Sequence, residues 1–130
     1  MEIIKIKTAG RSELVDIADR IRSVVAKSKV TDGVCFVFVP HTTAGLIINE
    51  NADPSVGSDM LNSLARLAPA NAGYLHTEGN SDAHVKSSIV GQSLTLFIEN
   101  GNIELGTWQG IFFLEGDGPR SREVWVKIIK

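Results

Sequence analysis

The last forty residues of the chain most constrain its fold, because their pattern is that of antiparallel hairpins. The segment SLTLFIE alternates apolar and polar side chains, which is the spacing of a strand with one buried face. Asn100-Gly101 follows, and this dipeptide is typical of a tight turn between antiparallel strands. The pattern predicts that NIELGTWQGIFFLEG continues a β-meander, that Asp117-Gly118-Pro119 makes another turn, and that residues 122–129 form the last strand.

Upstream of the hairpins, the chain alternates strands with helices. Residues 3–8 alternate as a strand, VCFVFV is predicted as a buried strand that ends at Pro40, and LIINE is predicted as another strand. A helix is predicted from Ser12-Glu13 onward, because one apolar stripe recurs at helical spacing. The stripe consists of Leu14, Ile17, Ala18, Ile21, Val24 and Val25.

Two further helices are predicted from their end signals. Asp53-Pro54 has the form of an N-cap followed by proline at the first helical position, and this helix runs to the break at Pro69. Ser81 or Asp82 is predicted to cap a short helix through Val90 that Gly91 closes. Together these elements predict an α+β fold of antiparallel β-sheets, sandwich or barrel-like, with flanking helices. At 130 residues the chain is predicted to be one domain, residues 1–130.

Composition excludes several classes of function. The net charge of −2 argues against a general nucleic-acid binder, which carries a basic face. No apolar run approaches the length of a membrane span. The single cysteine, Cys35, lies within the apolar run VCFVFV and is predicted to be a buried small hydrophobe, which fits a reducing cytoplasm.

The segment HTEGNSDAHVKSS, residues 76–88, concentrates groups that can do chemistry. His76 and His84 lie in it, and His41, the third histidine of the chain, directly follows Pro40. Three imidazoles from different segments predict an open metal site for zinc, with magnesium as the alternative. The chain has no HExxH and no paired CxxC motif, so hydrogen-bonded surface histidines are the competing interpretation.

The segment NENADP forms a second polar group between a strand and a helix. It contains Asn49, Glu50, Asn51 and Asp53, and a carboxylate here could bind a divalent cation or move a proton. The competing interpretation is that Asp53 caps the helix. The same helix N-terminus could hold a phosphate on its backbone N–H groups.

Lys86, Ser87 and Ser88 could hold a phosphoryl group, with the lysine acting as a point charge. No GxxxxGK[ST] motif is present, so a nucleotide P-loop is not indicated, and a solvated helix face is the alternative for Lys86. Arg120 and Arg122 could likewise meet an anion or be solvated charges near a turn.

The segment GTWQG, residues 106–110, is predicted to form a bulge or a close backbone approach, because two glycines flank a tryptophan within β-structure. Trp108 is predicted to lie in the core or at a subunit interface. Gln109 is predicted to reach a site with its side-chain amide.

Three blocks of the chain together closely resemble the YjbQ family, whose members are also called secondary thiamine-phosphate synthases. The blocks are HTTAGLIINENADPSV, then YLHTEGNSDAHVKSSIVG, then SLTLFIENGNIELGTWQGIFFLEGDGPRSREV. The resemblance runs from about residue 34 to the C-terminus. It implies an α+β fold, a homotrimer, and an activity in which a hydroxymethylpyrimidine diphosphate is joined to a thiazole phosphate with release of diphosphate.

The resemblance also places a set of residues around the pocket. The set comprises His41, Asn49, Glu50, Asp53, His76, Glu78, Asp82, His84, Lys86 and Ser87. From the residue types we predict that His41, His76 and His84 hold the metal ion, and that Asn49, Lys86, Ser87, Ser88 and Gln109 bind the phosphorylated substrate. The candidates for general acid and base are Glu50, Asp53, Glu78 and Asp82. Two other functions compete with the transferase, namely a metal-dependent hydrolase of a phosphorylated small molecule and a trimeric metal- or ligand-binding protein without turnover.

Overall fold

The computed structural model describes all 130 residues and shows two antiparallel sheets with three helices, which confirms the α+β fold. The strands are β1 (Glu2–Lys7), β2 (Glu13–Asp16), β3 (Asp32–Phe38), β4 (Ala44–Glu50), β5 (Ser93–Glu99), β6 (Asn102–Ile103), β7 (Gln109–Glu115) and β8 (Ser121–Ile129). The helices are α1 (Ala18–Ser28), α2 (Pro54–Leu67) and α3 (Ser81–Val90). None of the helices has the length and apolarity that a membrane span requires.

The first sheet has the strand order β1-β8-β3-β5-β6 and the second has the order β2-β7-β4. One hydrophobic core of 18 buried residues draws on both sheets and on α1. Phe113 and Ile111 enter it from the second sheet, and Val37 and Val124 enter it from the first. The core therefore ties the two sheets together.

The predicted first helix begins later than its apolar stripe indicates. Leu14 lies in β2, where it pairs with Leu114 of β7, and α1 starts only at Ala18. The prediction of a helix from Ser12-Glu13 is wrong, because strand pairing with β7 overrides the local helical spacing. Ala18, Ile21 and Val25 do form the buried face of the helix, as predicted.

The predicted meander is also wrong after the Asn100-Gly101 turn. That turn exists and pairs β5 with β6, but β6 contains only two residues. The chain then crosses to the second sheet, where β7 pairs with β2 on one side and β4 on the other. The apolar run IFFL indicates a buried strand but carries no information about which sheet the strand joins.

The segment VCFVFV is buried on one face only. Cys35 and Val37 are buried, whereas Phe36 and Phe38 are exposed on the outer face of the first sheet. Burial raises the pKa of the Cys35 thiol to about 11, so this cysteine is an inert core residue, as predicted. Trp108 is 64% exposed and therefore not part of the core of the chain.

The second and third helices lie where the sequence predicts them. Asp53 caps α2 by accepting a hydrogen bond from the Ser55 backbone N–H, with Pro54 at the first helical position. Helix α3 ends at Gly91, which adopts a φ of 93°, but its N-cap position is Asn80, one residue before the predicted cap.

Candidate functional site

Helix α3 packs closely against β4 and the start of the β7–β8 turn, and this packing positions His84. A Cβ atom at Gly45 would lie 2.7 Å from the Gly91 carbonyl oxygen, and one at Gly116 would lie 3.1 Å from the Ala83 Cβ. The Ser87 hydroxyl donates a hydrogen bond to the Ala44 carbonyl at 2.7 Å. These contacts fix the helix next to the segment that links β3 to β4, which carries His41.

Two neighbouring cavities meet at His41 and His84. Both cavities are lined by Pro40, His41, Thr42 and His84. The first, here called the arginine cavity, has a volume of about 340 Å³ and adds Thr43, Glu78, Asn80, Arg120 and Arg122. The second, the phenylalanine cavity, has a volume of about 490 Å³ and adds Phe38, Val39, Ser87, Ser88 and Gln92.

One nitrogen of His41 is occupied within the chain. Its Nε2 accepts a hydrogen bond from the backbone N–H of Glu123 at 2.9 Å, so the neutral ring carries its proton on Nδ1. Burial, reinforced by the positive charge of Arg122, lowers the pKa of His41. His41 is therefore held as a neutral imidazole that donates from Nδ1.

His76 lies beside His84 rather than in the cavities that His84 shares with His41. The two rings meet edge to face, with 5.4 Å between their centroids. His76 Nε2 lies 3.6 Å from a carboxylate oxygen of Glu78, which lines the arginine cavity. The structure thus brings His76, Glu78 and His84 to one region.

The predicted metal site needs ligand atoms that converge, and the chain does not supply them in this arrangement. No three histidine, cysteine, aspartate or glutamate side chains are placed to hold one ion. The Nε2 atom of His41 is already bonded to Glu123. The zinc or magnesium site stays a prediction of the sequence.

Arg122 is buried in the wall of the arginine cavity. On β8 it shares a face with Val124 and Val126, whose side chains are buried in the core, so strand alternation directs Arg122 inward. Its Nε donates to Glu115 at 2.9 Å and its Nη2 donates to Glu115 and to the Thr43 hydroxyl. Nη1 donates no hydrogen bond within the chain. The interpretation of Arg122 as a solvated charge is wrong.

Glu115 neutralises Arg122 within the protein. Burial opposes ionisation of the Glu115 carboxyl, but hydrogen bonds from Arg122, from the Asp117 backbone N–H and from the Thr8 hydroxyl hold its pKa below the usual value. The Thr8 bond measures 2.7 Å. The arginine is therefore preorganised by a fully hydrogen-bonded partner.

Arg120 is held at the mouth of the arginine cavity by Asp117. Its Nε donates to the Asp117 carbonyl at 2.7 Å and its Nη2 donates to the carboxylate at 2.8 Å. Asn80 donates to the same carboxylate oxygen at 2.9 Å, and its own Oδ1 is buried without a partner. The Nη1 group of Arg120 donates no hydrogen bond within the chain and is free to bind another acceptor.

Lys86 and Asp82 are buried together on the opposite side of α3 from His84. Asp82 forms a two-point ion pair with Arg11 at 3.0 and 3.1 Å, and Lys86 lies 3.6 Å from it. The hydrogen bonds from Arg11 lower the pKa of Asp82. Lys86 and Asp82 line neither cavity, and Lys86 is not on a solvated helix face.

The two serines of α3 differ in their free hydrogen-bonding capacity. Ser87 is buried, donates to Ala44 and accepts from the Gln92 amide at 2.8 Å. Ser88 is exposed, donates to the His84 carbonyl at 3.0 Å, and lines the phenylalanine cavity. Only Ser88 presents its hydroxyl to solvent.

The NENADP residues lie at a different cavity of about 420 Å³, here called the acidic cavity. Glu50 and Asp53 line it together with Glu13, Asp16 and Phe112. The structure does not bring these residues to the histidines: the acidic cavity shares no residue with the other two.

Three carboxylates of the acidic cavity, those of Glu13, Asp16 and Asp53, accept local backbone hydrogen bonds, whereas the Glu50 carboxylate accepts none within the chain. Asp53 accepts from the Ser55 N–H and hydroxyl at 2.9 and 2.7 Å, which lowers its pKa. Asn49 accepts from the Glu50 N–H, and Gln109 accepts from the Gly106 N–H, both at 2.7 Å. Asp53 and Asn49 thus stabilise the turn from β4 into α2.

Sequence reasoning missed four residues that shape the histidine site: Thr43, Asn80, Gln92 and Glu115. A signal existed for Glu115, because a carboxylate that ends the apolar run IFFL requires a buried partner. No local pattern marks the other three.

A protein-family model described as "UPF0047 protein YjbQ-like" matches residues 2–130. The chain belongs to the YjbQ/UPF0047 family. The match covers the first thirty residues as well, where the sequence shows only a strand and a helix in common with the family. A UPF0047 protein of Methanocaldococcus jannaschii is 60% identical over 96% of this chain and 91% of its own length.

Other YjbQ/UPF0047 proteins agree along the whole length. The YugU protein of Bacillus subtilis is 44% identical over 99% of this chain and 98% of its own. A crystal structure of a family member from Clostridium acetobutylicum, described as uncharacterised, superposes with a TM-score of 0.97 at 50% identity, covering 99% of this chain and 100% of that one. A protein of unknown function from Sulfolobus solfataricus gives 0.94 at 33% identity, over 98% and 94%. The fold is therefore that of the family.

Proposed function

We propose that the protein is a transferase that binds a phosphorylated small molecule in the arginine cavity. Its candidate reaction is the coupling of a hydroxymethylpyrimidine diphosphate to a thiazole phosphate, as in thiamine-phosphate synthase. The observation that carries the proposal is the composition of the cavity, which has two guanidinium groups and two imidazoles against one carboxylate among its lining residues.

The free donors of this cavity suit a phosphate. Arg122 and Arg120 each keep Nη1 after pairing with Glu115 and Asp117. His41 adds an Nδ1–H donor because its Nε2 is bonded to Glu123. Since their partners hold all three groups in place, their orientation costs little when an anion binds.

The coupling develops negative charge on a leaving diphosphate. The thiazole nitrogen forms a bond to the methylene carbon of the pyrimidine, and the electron pair of the breaking C–O bond leaves with diphosphate. The arginine cavity supports this step because its donors would stabilise the charge where it appears. His84, which lines both cavities, would exchange a proton with the leaving group.

The test is a coupling assay combined with a binding measurement. Purified protein is incubated with both phosphorylated substrates, and binding of inorganic pyrophosphate is measured by calorimetry. Arg120→Ala should weaken pyrophosphate binding about tenfold, which is the loss of one charge-assisted contact. The matched control is Lys127→Ala, because Lys127 is an exposed cation on β8, the strand that directly follows Arg120, and lines neither cavity.

The outcomes separate the three candidate functions. Coupling that falls with Arg120→Ala supports the transferase. Release of phosphate or diphosphate without the thiazole substrate supports a hydrolase. Tight pyrophosphate binding without turnover supports a binding protein, and absence of pyrophosphate binding contradicts the proposed phosphate site in the arginine cavity.

The homotrimer is part of the proposal. Helix α2 buries none of its residues within the chain, and Leu67 is 70% exposed. The outer face of the first sheet exposes aromatic side chains, including Phe97. Large exposed apolar surfaces of this kind favour association. Light scattering that shows a stable monomer at micromolar concentration would contradict the trimer.

The divalent metal ion and the cytoplasmic location are predictions that rest on the sequence and on the resemblance. Elemental analysis of the purified protein tests the first. No step of the chemistry above uses a metal ion.

A further inference from the structure

The phenylalanine cavity differs in chemistry from the arginine cavity that it adjoins. Apart from the shared histidines, no ionisable side chain lines it. Its wall contains the Phe38 ring, which is 44% exposed and packs against the Trp125 ring at 5.7 Å between centroids. A cavity with no matched charge and an exposed aromatic wall suits an uncharged, flat group.

Gln92 adds one directed acceptor to this cavity. Its Nε2 donates to the Ser87 carbonyl at 2.9 Å and to the Ser87 hydroxyl at 2.8 Å. Both bonds fix which end of the amide carries the nitrogen, and Oε1 accepts no hydrogen bond within the chain. The Oε1 atom of Gln92 is therefore an acceptor that is fixed in place and receives no hydrogen bond from the chain.

We infer that the phenylalanine cavity is the subsite for a flat, uncharged aromatic ring of the ligand whose phosphate lies in the arginine cavity. Phe38 supplies the stacking surface, and Oε1 of Gln92 accepts from an amino or hydroxyl group on the ring. The inference rests on the proposed function, because it places the second half of the same ligand. Since His41 and His84 line both cavities, the bond that joins ring to phosphate lies beside them.

The first experiment separates ring binding from phosphate binding. Three probes are titrated by calorimetry: inorganic pyrophosphate, 4-amino-5-hydroxymethyl-2-methylpyrimidine, and the diphosphate of that pyrimidine. Phe38→Ala should weaken the two ring compounds about tenfold, the loss expected for one stacking contact, and leave pyrophosphate unchanged. Arg120→Ala should weaken the two phosphate compounds and leave the free pyrimidine unchanged.

Phe36→Ala is the matched control. Phe36 lies two residues earlier on the same face of β3 and is 42% exposed, but it lines neither cavity. It should leave all three affinities unchanged. Equal losses in Phe36→Ala and Phe38→Ala would overturn the subsite, because a general effect on the sheet face would then explain both.

The role of Gln92 is tested from the ligand side, because substitution of Gln92 would also break its bonds to Ser87. The pyrimidine diphosphate with hydrogen in place of the 4-amino group should bind about tenfold more weakly than the parent compound. Equal affinities would overturn the assignment of Oε1.

Failure of this inference differs from failure of the proposed function. If pyrophosphate binds in an Arg120-dependent way while Phe38→Ala binds the pyrimidine diphosphate like the parent, the ring subsite is wrong and the anion site stands. If the free pyrimidine binds in a Phe38-dependent way while pyrophosphate does not bind, the proposed function is wrong and the ring subsite stands.

Discussion

The region around His41 and His84 and the acidic cavity at the start of α2 contain similar polar residues but differ in what those residues have left to bind. At the acidic cavity, Asp53 is engaged in holding the local turn. At the arginine cavity, Arg120 and Arg122 are each fixed by a carboxylate and still keep one donor group. Free donor groups that ion pairs hold in place, rather than polarity, separate the candidate site from the acidic cavity, where the carboxylate left free is that of Glu50.

The largest effect on stability is expected at Glu115, the carboxylate that pairs with Arg122 beside the arginine cavity. Glu115→Ala should lower the free energy of unfolding by about 3–5 kcal/mol, because the charge of Arg122 would remain buried without a carboxylate to neutralise it. Chemical denaturation measures this loss. The double variant Glu115→Leu with Arg122→Met removes both charges and should recover most of it. Equal losses in the single and double variants would show that the ion pair does not determine the effect.

The largest contrast in activity is expected between His84 and Glu50. His84→Ala should lower the coupling rate about a hundredfold, because general acid–base catalysis contributes at least this much. Glu50→Gln should stay within about twofold of the parent, since Glu50 lines the acidic cavity. Steady-state coupling rates at saturating substrate measure both effects. A hundredfold loss in Glu50→Gln would restore the catalytic role that the sequence assigns to it.

The same contrast explains which parts of the site can be predicted from the sequence. The sequence predicts His41, His76 and His84 as site residues because histidine is rare in the chain and lies in polar segments, and the structure places His41 and His84 at the same two cavities. The sequence leaves the role of Arg122 open, since its partner Glu115 lies seven residues away on another strand. The predictions of the first helix and of the meander are wrong for a related reason: the apolar residues around Leu14 and in IFFL report burial, whereas the choice of pairing strand depends on residues distant in sequence.

The sequence and the structure predict different roles for Lys86. The sequence predicts that Lys86→Ala folds normally and still binds metal but loses most coupling activity, because the lysine would offset charge on a phosphate. Its buried position beside Asp82 instead leads us to expect a loss of about 1–3 kcal/mol in stability and unchanged pyrophosphate affinity. The control is Lys27→Ala, whose ammonium lies at the same 3.6 Å from Glu2 but is exposed, and which should cost under about 0.5 kcal/mol. A weakened affinity in Lys86→Ala at parental stability would reinstate the phosphate contact.

Acid should unfold the protein through the buried carboxylates. The pKa values of Asp82 and Glu115 are lowered in the folded chain, so their contribution is complete above the ordinary carboxyl pKa and is lost as pH falls through the folded value. Denaturation curves should show a first decline as pH falls from 7 toward 5, because the lowered pKa of His41 lets the unfolded chain take up a proton that the folded chain does not. Below about pH 5 the two carboxylates should add a decline of at most about 1.4 kcal/mol per pH unit for each group. Glu115→Gln, already destabilised at pH 7, should decline less steeply. An identical slope in the variant would assign the acid sensitivity to other groups.

The smallest effect is expected at Asp53, where two roles compete for one carboxylate. As a helix cap it needs only an acceptor oxygen for the Ser55 N–H, which asparagine also supplies. As a general base it needs a group that can take up a proton, which asparagine lacks. Asp53→Asn should therefore keep the parental Tm and the parental coupling rate, whereas Asp53→Ala should lose a few degrees in Tm and keep the rate. A parental Tm with a coupling rate reduced a hundredfold in Asp53→Asn would instead move catalysis to the acidic cavity and reverse the contrast between the two regions.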